Sequence, residues 1–284
     1  AADICSDQLS CSGPPGSTAL RLWTVGQAGT NAPVSCSTCH GPSGPGVADS
    51  FCKSTTPQAH ATGTGRCGYP APVHLHVSAS AASFAGLPDQ QAGGGAGHAG
   101  VSTQWVFCKP GMSGPLSWRL HYRVTVVNSS PSHGGVYLRI MGSNCGAPAG
   151  NTTGIHDHVL DISSITDWGV PKSYTASIST STFADGACDC ARSVDVRYEL
   201  TNIEVFAPGG VPVTGFQVRD VTTGHVVFGC ASDINCSGSI TVQDIFDFLA
   251  AYFGNDPRAD FNASGTISVQ DIFDFLAAYF AGCN

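Results

Sequence analysis

The chain ends in a unit written twice. Asp233, Asn235, Ser237, Gly238, Ser239, Thr241 and Asp244 occupy positions 1, 3, 5, 6, 7, 9 and 12 of one stretch, which runs on into Ile245 to Phe253. Asp260, Asn262, Ser264, Gly265, Thr266, Ser268 and Asp271 repeat it, and Ile272 to Phe280 repeat the following run letter for letter. A hard cation such as Ca²⁺ takes six to eight oxygens, and a short loop supplies them from these positions, with Gly at position 6 permitting the sharp turn. The spacing therefore predicts two Ca²⁺ sites. The first draws on Asp233, Asn235, Ser237, the carbonyl of Ser239, Thr241 and Asp244. The second draws on Asp260, Asn262, Ser264, the carbonyl of Thr266, Ser268 and Asp271.

Each loop leads into a helix. Thr241 and Ser268 are set to cap it, with Asp244 and Asp271 three residues on in the capping-box position. Ile245, Phe248, Leu249, Tyr252 and Phe253 recur at helical spacing, and Gly254 and Gly282 are stop signals. The identical stripes predict two helices packed on each other across a pseudo-twofold axis. The duplicated loop and helix, with Asp at position 12, resembles the type I dockerin family, in the EF-hand-like variant that ends Gly282-Cys283. The resemblance covers residues 231–284 and leaves the rest of the chain unassigned. It implies a calcium-dependent plug that binds a protein partner, with the residues above as ligands. The Gly-Cys ending also implies a Cys236–Cys283 disulfide stapling the two halves. Ser at position 5 of both loops, and Val242-Gln243 and Val269-Gln270 at positions 10 and 11, depart from the cohesin-recognising pattern, so the resemblance does not fix the partner.

Charge separates the chain into the same parts. Residues 230–284 hold seven Asp and one Arg, which leaves only −2 of the net −8 to the preceding 229 residues. No basic face is available for nucleic acid, and no apolar run is long enough to span a membrane. Thirteen cysteines indicate an oxidising compartment and disulfides. The start at Ala1-Ala2-Asp3 fits cleavage of a signal peptide, so an extracellular or cell-surface protein is expected.

Residues 1–229 read as a Cys-rich β domain. Residues 26–70 are Gly/Pro/Ser-rich, without apolar period, and read as a loop-rich insertion held by cross-links. Ala92 to Gly100 reads as a second loop. Alternation then marks strands at Val73–Val77, Thr103–Cys108, Leu116–Asn128, Val136–Ile140, Val159–Ile162, Tyr174–Thr180, Ser193–Ala207, Val213–Val218 and Val226–Phe228. The apolar register slips between Leu200 and Ile203, the signature of a bulge. About nine or ten short strands without a helical segment predict a disulfide-tied, jelly-roll-like β-sandwich, followed at 230 by the small α-helical calcium domain.

Other constellations carry competing chemistry. Cys36-Ser-Thr-Cys39-His40 has the spacing of c-type haem attachment, or its cysteines form disulfides. His74/His76 and His156/His158 each place two imidazoles on one strand face, suited to copper or zinc, or to a solvent-facing sheet edge. The tryptophans Trp23, Trp105, Trp118 and Trp168 offer a sugar-stacking platform, although Trp118 lies on an apolar face. Glu199 and Glu204 are the only glutamates, and their odd offset sets them on opposite faces of one strand, which denies a glycosidase pair. With a Cys236–Cys283 bridge, eleven cysteines remain upstream, an odd number that leaves one unpaired within the chain. These readings combine into a non-catalytic structural or surface-assembly subunit that docks a protein partner or associates with itself head to tail, as in a filament. An electron carrier and a polysaccharide-binding accessory are the alternatives.

Overall fold

A computed structural model describes residues 19–28, 34–40, 46–55, 59–69, 74–83, 93–129, 131, 134–141, 143–144, 152–184 and 190–283, with side chains at 75 and in 101–129, 131, 135–141, 152–162, 165–182 and 191–283. Fifteen strands come first among these residues and two α-helices last. One sheet runs in the order β15 (Val226–Phe228), β14 (Gln217–Asp220), β6 (Gly93–Cys108), β11 (Lys172–Ala184), β8 (Gly134–Ile140) and β9 (Ser143–Asn144). Further along β6 it adds β1 (Ala19–Ala28), which pairs with β2 (Val34–His40). The second sheet runs β10 (Gly154–Asp167), β7 (Pro115–Asn128), β12 (Cys190–Ala207), β5 (His74–Ser83), β4 (Ala59–Tyr69) and β3 (Gly46–Thr55), with β13 (Val211–Val213) on the end of β12. Every pairing is antiparallel.

Alternation explains the central strands. On β7, Leu116, Trp118, Leu120, Tyr122, Val124 and Val126 are buried, while the residues between them reach the outer face. β12 buries Val194, Val196, Tyr198 and Leu200, then Ile203 and Val205, and its register against β7 shifts between Leu200 and Asn202, where the bulge was expected. That bulge corrects the reading of the glutamates. The extra residue restores parity, so Glu199 and Glu204 both lie on the outer face, opposite Arg123 and Arg119.

The described parts of the stretch 26–70 are strands rather than loop: they comprise the end of β1 and all of β2, β3 and β4. Gly, Ser, Thr and Cys carry no apolar period, but a ladder bonded on its flanks requires none. The Gly-rich run up to Gly100 is likewise strand, held in β6 between β1 and β11. Val213–Val218 divides in two. Gly215, at φ +63°, lies between β13 in one sheet and β14 in the other.

The core between the sheets is aromatic. Trp105 stacks on Tyr174 with ring centroids 3.7 Å apart, and Trp118 meets Trp105 and Phe107 edge-on at 6.0 and 5.0 Å. The Tyr174 and Tyr198 hydroxyls hydrogen-bond each other at 2.9 Å, so neither buried O–H is unpaired. Trp105, Trp118 and Trp168 are all buried, which removes them as a sugar platform; the side chain of Trp23 lies outside the described residues.

The helices α1 (Val242–Phe253) and α2 (Val269–Ala281) form a separate small core. Phe248 and Phe275 stack in parallel at 4.2 Å, and Phe261 meets both edge-on at 6.3 and 5.6 Å. Ile234, Ala251 and Ala259 complete its buried set, and Ile245, Tyr252, Ile272, Leu276 and Tyr279 pack around it. Phe253, expected in the packed stripe, is exposed, as is its counterpart Phe280. No helix among the described residues is long and apolar enough to cross a membrane.

Candidate metal centres

The two loops fold alike, atom for atom. In the first, Asp233 accepts hydrogen bonds from the Ser237 amide at 2.7 Å and the Gly238 amide at 2.8 Å; in the second, Asp260 accepts from Ser264 at 2.9 Å and Gly265 at 2.8 Å. The Ser237 hydroxyl lies 3.3 Å from Asp233 and donates to the Ser239 carbonyl at 2.9 Å, while Ser264 does the same to Asp260 at 3.4 Å and to Thr266 at 3.1 Å. Asn235 and Asn262 turn their amide oxygens toward the same serine amides, at 2.9 and 3.1 Å. Gly238 and Gly265 adopt φ +84° and +87°, the left-handed turn that position 6 demands.

Position 12 closes each loop and starts its helix. Asp244 accepts from the Thr241 amide at 2.8 Å, and Asp271 from the Ser268 amide at 2.7 Å. Each carboxylate also reaches back toward position 3, accepting the Asn235 amide at 3.4 Å and the Asn262 amide at 3.2 Å. The predicted residues at positions 1, 3, 5, 7, 9 and 12 are thus brought together in both copies.

All four terminal carboxylates, Asp233, Asp244, Asp260 and Asp271, are 5% exposed or less. Among the described residues none has an arginine or lysine at ion-pair distance, and their hydrogen-bond partners are amides and hydroxyls. Two desolvated anions in one loop are costly without a cation. No group of three or more His, Cys, Asp or Glu converges among the described residues. Each loop instead offers two carboxylates, an amide, hydroxyls and a main-chain carbonyl. An all-oxygen set of this kind fits Ca²⁺ and offers nothing to a soft metal.

A brace behind each loop escaped the sequence reading. Asn235 donates to Asp247 at 2.8 Å and Gln243 donates to it at 2.9 Å; Asn262 and Gln270 hold Asp274 at 2.9 and 2.8 Å. The donors of Asn235 and then Gln243 hold the Asp247 carboxyl below the usual carboxylate range. The brace spends the amide N–H on Asp247, which fixes the oxygen of Asn235 toward the loop. Its sequence signal was a Gln–Asp pair at i, i+4 in both copies.

The loops are also tied to the two-sheet domain. Cys236 pairs with Cys108 at the end of β6, and Cys283 pairs with Cys230 in the junction. This corrects the expected Cys236–Cys283 bridge. Cys236 sits at φ +58° on the side of its loop that meets β6, and α2 returns Cys283 to the chain just before the first loop. On β14, Arg219 is buried and donates to the carbonyls of Ile234 and Asp233, both at 2.7 Å, and to Gln217 at 2.6 and 2.8 Å. Gln217 donates in turn to Cys230 at 2.6 Å and Asp233 at 2.8 Å. Burial, with the nearby charge of Arg258, holds the Arg219 guanidinium below its ordinary pKa against the opposing fields of Asp233 and Asp244. His225 bonds the carbonyl of Asp260. Beside these contacts the seam is open: a groove of about 1060 Å³ runs between Phe206, Phe216, Phe228 and Ser239. The helical pair is therefore held on by a few polar bonds and a covalent tie. Replacing Cys108 and Cys236 together by Ser should cost about 3–5 kcal/mol, because the bridge spans 128 residues, and chemical denaturation followed at 222 nm would read the loss.

Among the described side chains, the remaining candidates do not assemble into a site. Cys36, Cys39 and His40 fall in β2, and His74 and His76 in β5, but their side chains lie outside the described residues. His156 and His158 are half-buried on the edge strand β10, not on its solvent face. The His158 ring stacks on Tyr122 at 5.3 Å, 6.5 Å from His156. Glu204 pairs with Arg119 at 3.1 Å, with the His121 ring 3.3 Å away; Arg123 pairs with Asp157 at 2.8 Å, and its guanidinium holds that carboxyl below its ordinary range. These are rows of ion pairs across β10, β7 and β12.

No protein-family model matches the chain, and neither a curated protein nor a solved structure matches it significantly.

Proposed function

We propose that this chain is a non-catalytic, calcium-binding assembly subunit of the extracellular or cell-surface space. In this reading the C-terminal repeat is a dockerin-like docking module holding two Ca²⁺, and the two-sheet domain is the jelly-roll-like unit that it presents. Asp233, Asn235, Ser237, Ser239, Thr241 and Asp244 would hold one ion, and Asp260, Asn262, Ser264, Thr266, Ser268 and Asp271 the other. Bound calcium supplies the positive charge that the buried carboxylates need, and the loops then set where each helix begins.

The observation that carries the reading is an uncovered apolar face written twice. Val242, Phe246 and Phe253 on α1, and Val269, Phe273 and Phe280 on α2, are between 59% and 80% exposed. Spacings of four and seven residues align each set as one stripe. Large exposed apolar sets on a small domain mark binding surfaces. The partner in this proposal is a second copy of the chain. A docking face at one end and a separate domain at the other join head to tail, and such heterologous contacts give open filaments unless they close.

Sedimentation of the purified chain tests this. In Ca²⁺ the protein should sediment as pairs or longer assemblies, and as monomers in chelator. Phe246→Ala with Phe273→Ala should weaken association at least about tenfold, since buried aromatic anchors dominate such contacts. Particles of the same size with and without bound calcium would sink the docking role.

A further inference from the structure

The two loops are nearly identical in sequence and geometry, yet their surroundings differ. The first is anchored to the two-sheet domain at three places. Its position 1 carbonyl, on Asp233, accepts from Arg219 and Gln217 at 2.7 and 2.8 Å. Its position 2 carbonyl, on Ile234, accepts from Arg219 at 2.7 Å. Its position 4 residue, Cys236, is bonded to Cys108. The second loop has one counterpart, the bond from His225 to the carbonyl of Asp260. Its position 4 residue is Ala263, which adopts the same left-handed backbone, φ +60° against +58°, with no thiol to tether. Arg219 is distinctive as well: it is 9% exposed, and its hydrogen-bond acceptors are carbonyls and an amide, not a carboxylate.

We infer that the two calcium sites are not equivalent: the first loop is the lock that couples calcium to the stability of the two-sheet domain, and the second serves the helical pair alone. The inference rests on the proposed calcium binding. The backbone that positions the first set of ligands is the backbone that Arg219, Gln217 and Cys108 grip. Ordering it with a cation stiffens both sides of the seam, and a ligand that favours the native state stabilises whatever unfolds with its site. Arg219 and Gln217 are positioning residues here, since neither offers an oxygen to the ion.

The chain carries its own reporters. All four tryptophans, Trp23, Trp105, Trp118 and Trp168, precede residue 230, so the tryptophan bands of near-ultraviolet circular dichroism follow the two-sheet domain, while ellipticity at 222 nm follows the helices. The variants are Asp244→Asn and Asp271→Asn, each of which weakens one site while keeping an oxygen for the helix cap. In the wild type and in Asp271→Asn, saturating Ca²⁺ should raise the tryptophan-detected melting temperature by an amount on the order of 5 °C. In Asp244→Asn the shift should vanish. In full-length protein with Cys108→Ser and Cys236→Ser it should fall to less than half, with two ions still bound in isothermal titration. Equal shifts in the two Asp variants, with calcium bound, would overturn the lock and leave calcium binding intact. Absence of any calcium binding to the wild type would overturn both.

Discussion

In excess chelator the helices should lose most of their ellipticity at 222 nm, while the tryptophan signal of the two-sheet domain persists at room temperature. The helical pair has only five buried apolar residues, Ile234, Phe248, Ala251, Ala259 and Phe275. A core that small seldom stands without a metal or disulfide staple. Here it must also absorb four buried carboxylates, which repel one another in pairs when no cation is present. At a calcium concentration a thousandfold above the dissociation constant, each of the proposed sites would add about 4 kcal/mol to the native state. Chelation withdraws that contribution from both sites at once. The Cys108–Cys236 and Cys230–Cys283 bridges keep the chain ends together, so re-addition of calcium should restore the helices within the dead time of manual mixing. A melt at 222 nm that is unchanged by chelator, with calcium shown to be removed, would contradict the metal reading of the loops.

The second large effect belongs to the other core. Trp105→Ala should destabilise the two-sheet domain by about 3–5 kcal/mol, the range for truncating a large aromatic in a packed interior. Trp105 has no exposed surface, stacks on Tyr174 and touches Trp118, so its loss leaves a cavity against the ring that supports the Tyr174–Tyr198 hydroxyl bond. Urea unfolding at constant slope would give the number. A cost below about 1 kcal/mol would mean that the site collapses around the gap. Binding to polysaccharide should not change in any folded fraction, since this ring is not on the surface.

Where the chain uses a strict period, its fold was legible. The twofold alternation of β7 gives its buried face residue by residue, and the register slip in β12 marks the bulge after Leu200. The loop turns and helix caps were equally readable, because Gly238 and Gly265 and the Thr241/Asp244 and Ser268/Asp271 capping pairs recur at the same spacing in both copies. What escaped lacked a period. β2, β3 and β4 are rich in Gly, Ser, Thr and Cys and have no apolar period, so their pairing depends on neighbouring backbone and not on their own polarity. The face of Glu204 depended on one bulged residue. The partners of Cys236 and Cys283 depended on where α2 ends relative to β6, which no spacing encodes. Arg219 and Gln217 sat in an unremarkable four-residue strand, and only the tertiary fold sets them under the carbonyls of the first loop.

The Cys108–Cys236 bridge has a mechanical consequence. Tension applied to the exposed stripes of α1 and α2 does not have to travel through the short junction before the first loop. It passes by a covalent bond into β6, an interior strand whose end is hydrogen-bonded to β14 and whose length lies along β11. A load entering there along the strand shears many hydrogen bonds at once, whereas a load on an edge strand would peel them one at a time. In a string of such subunits, the links would therefore be anchored where each sheet is hardest to unzip.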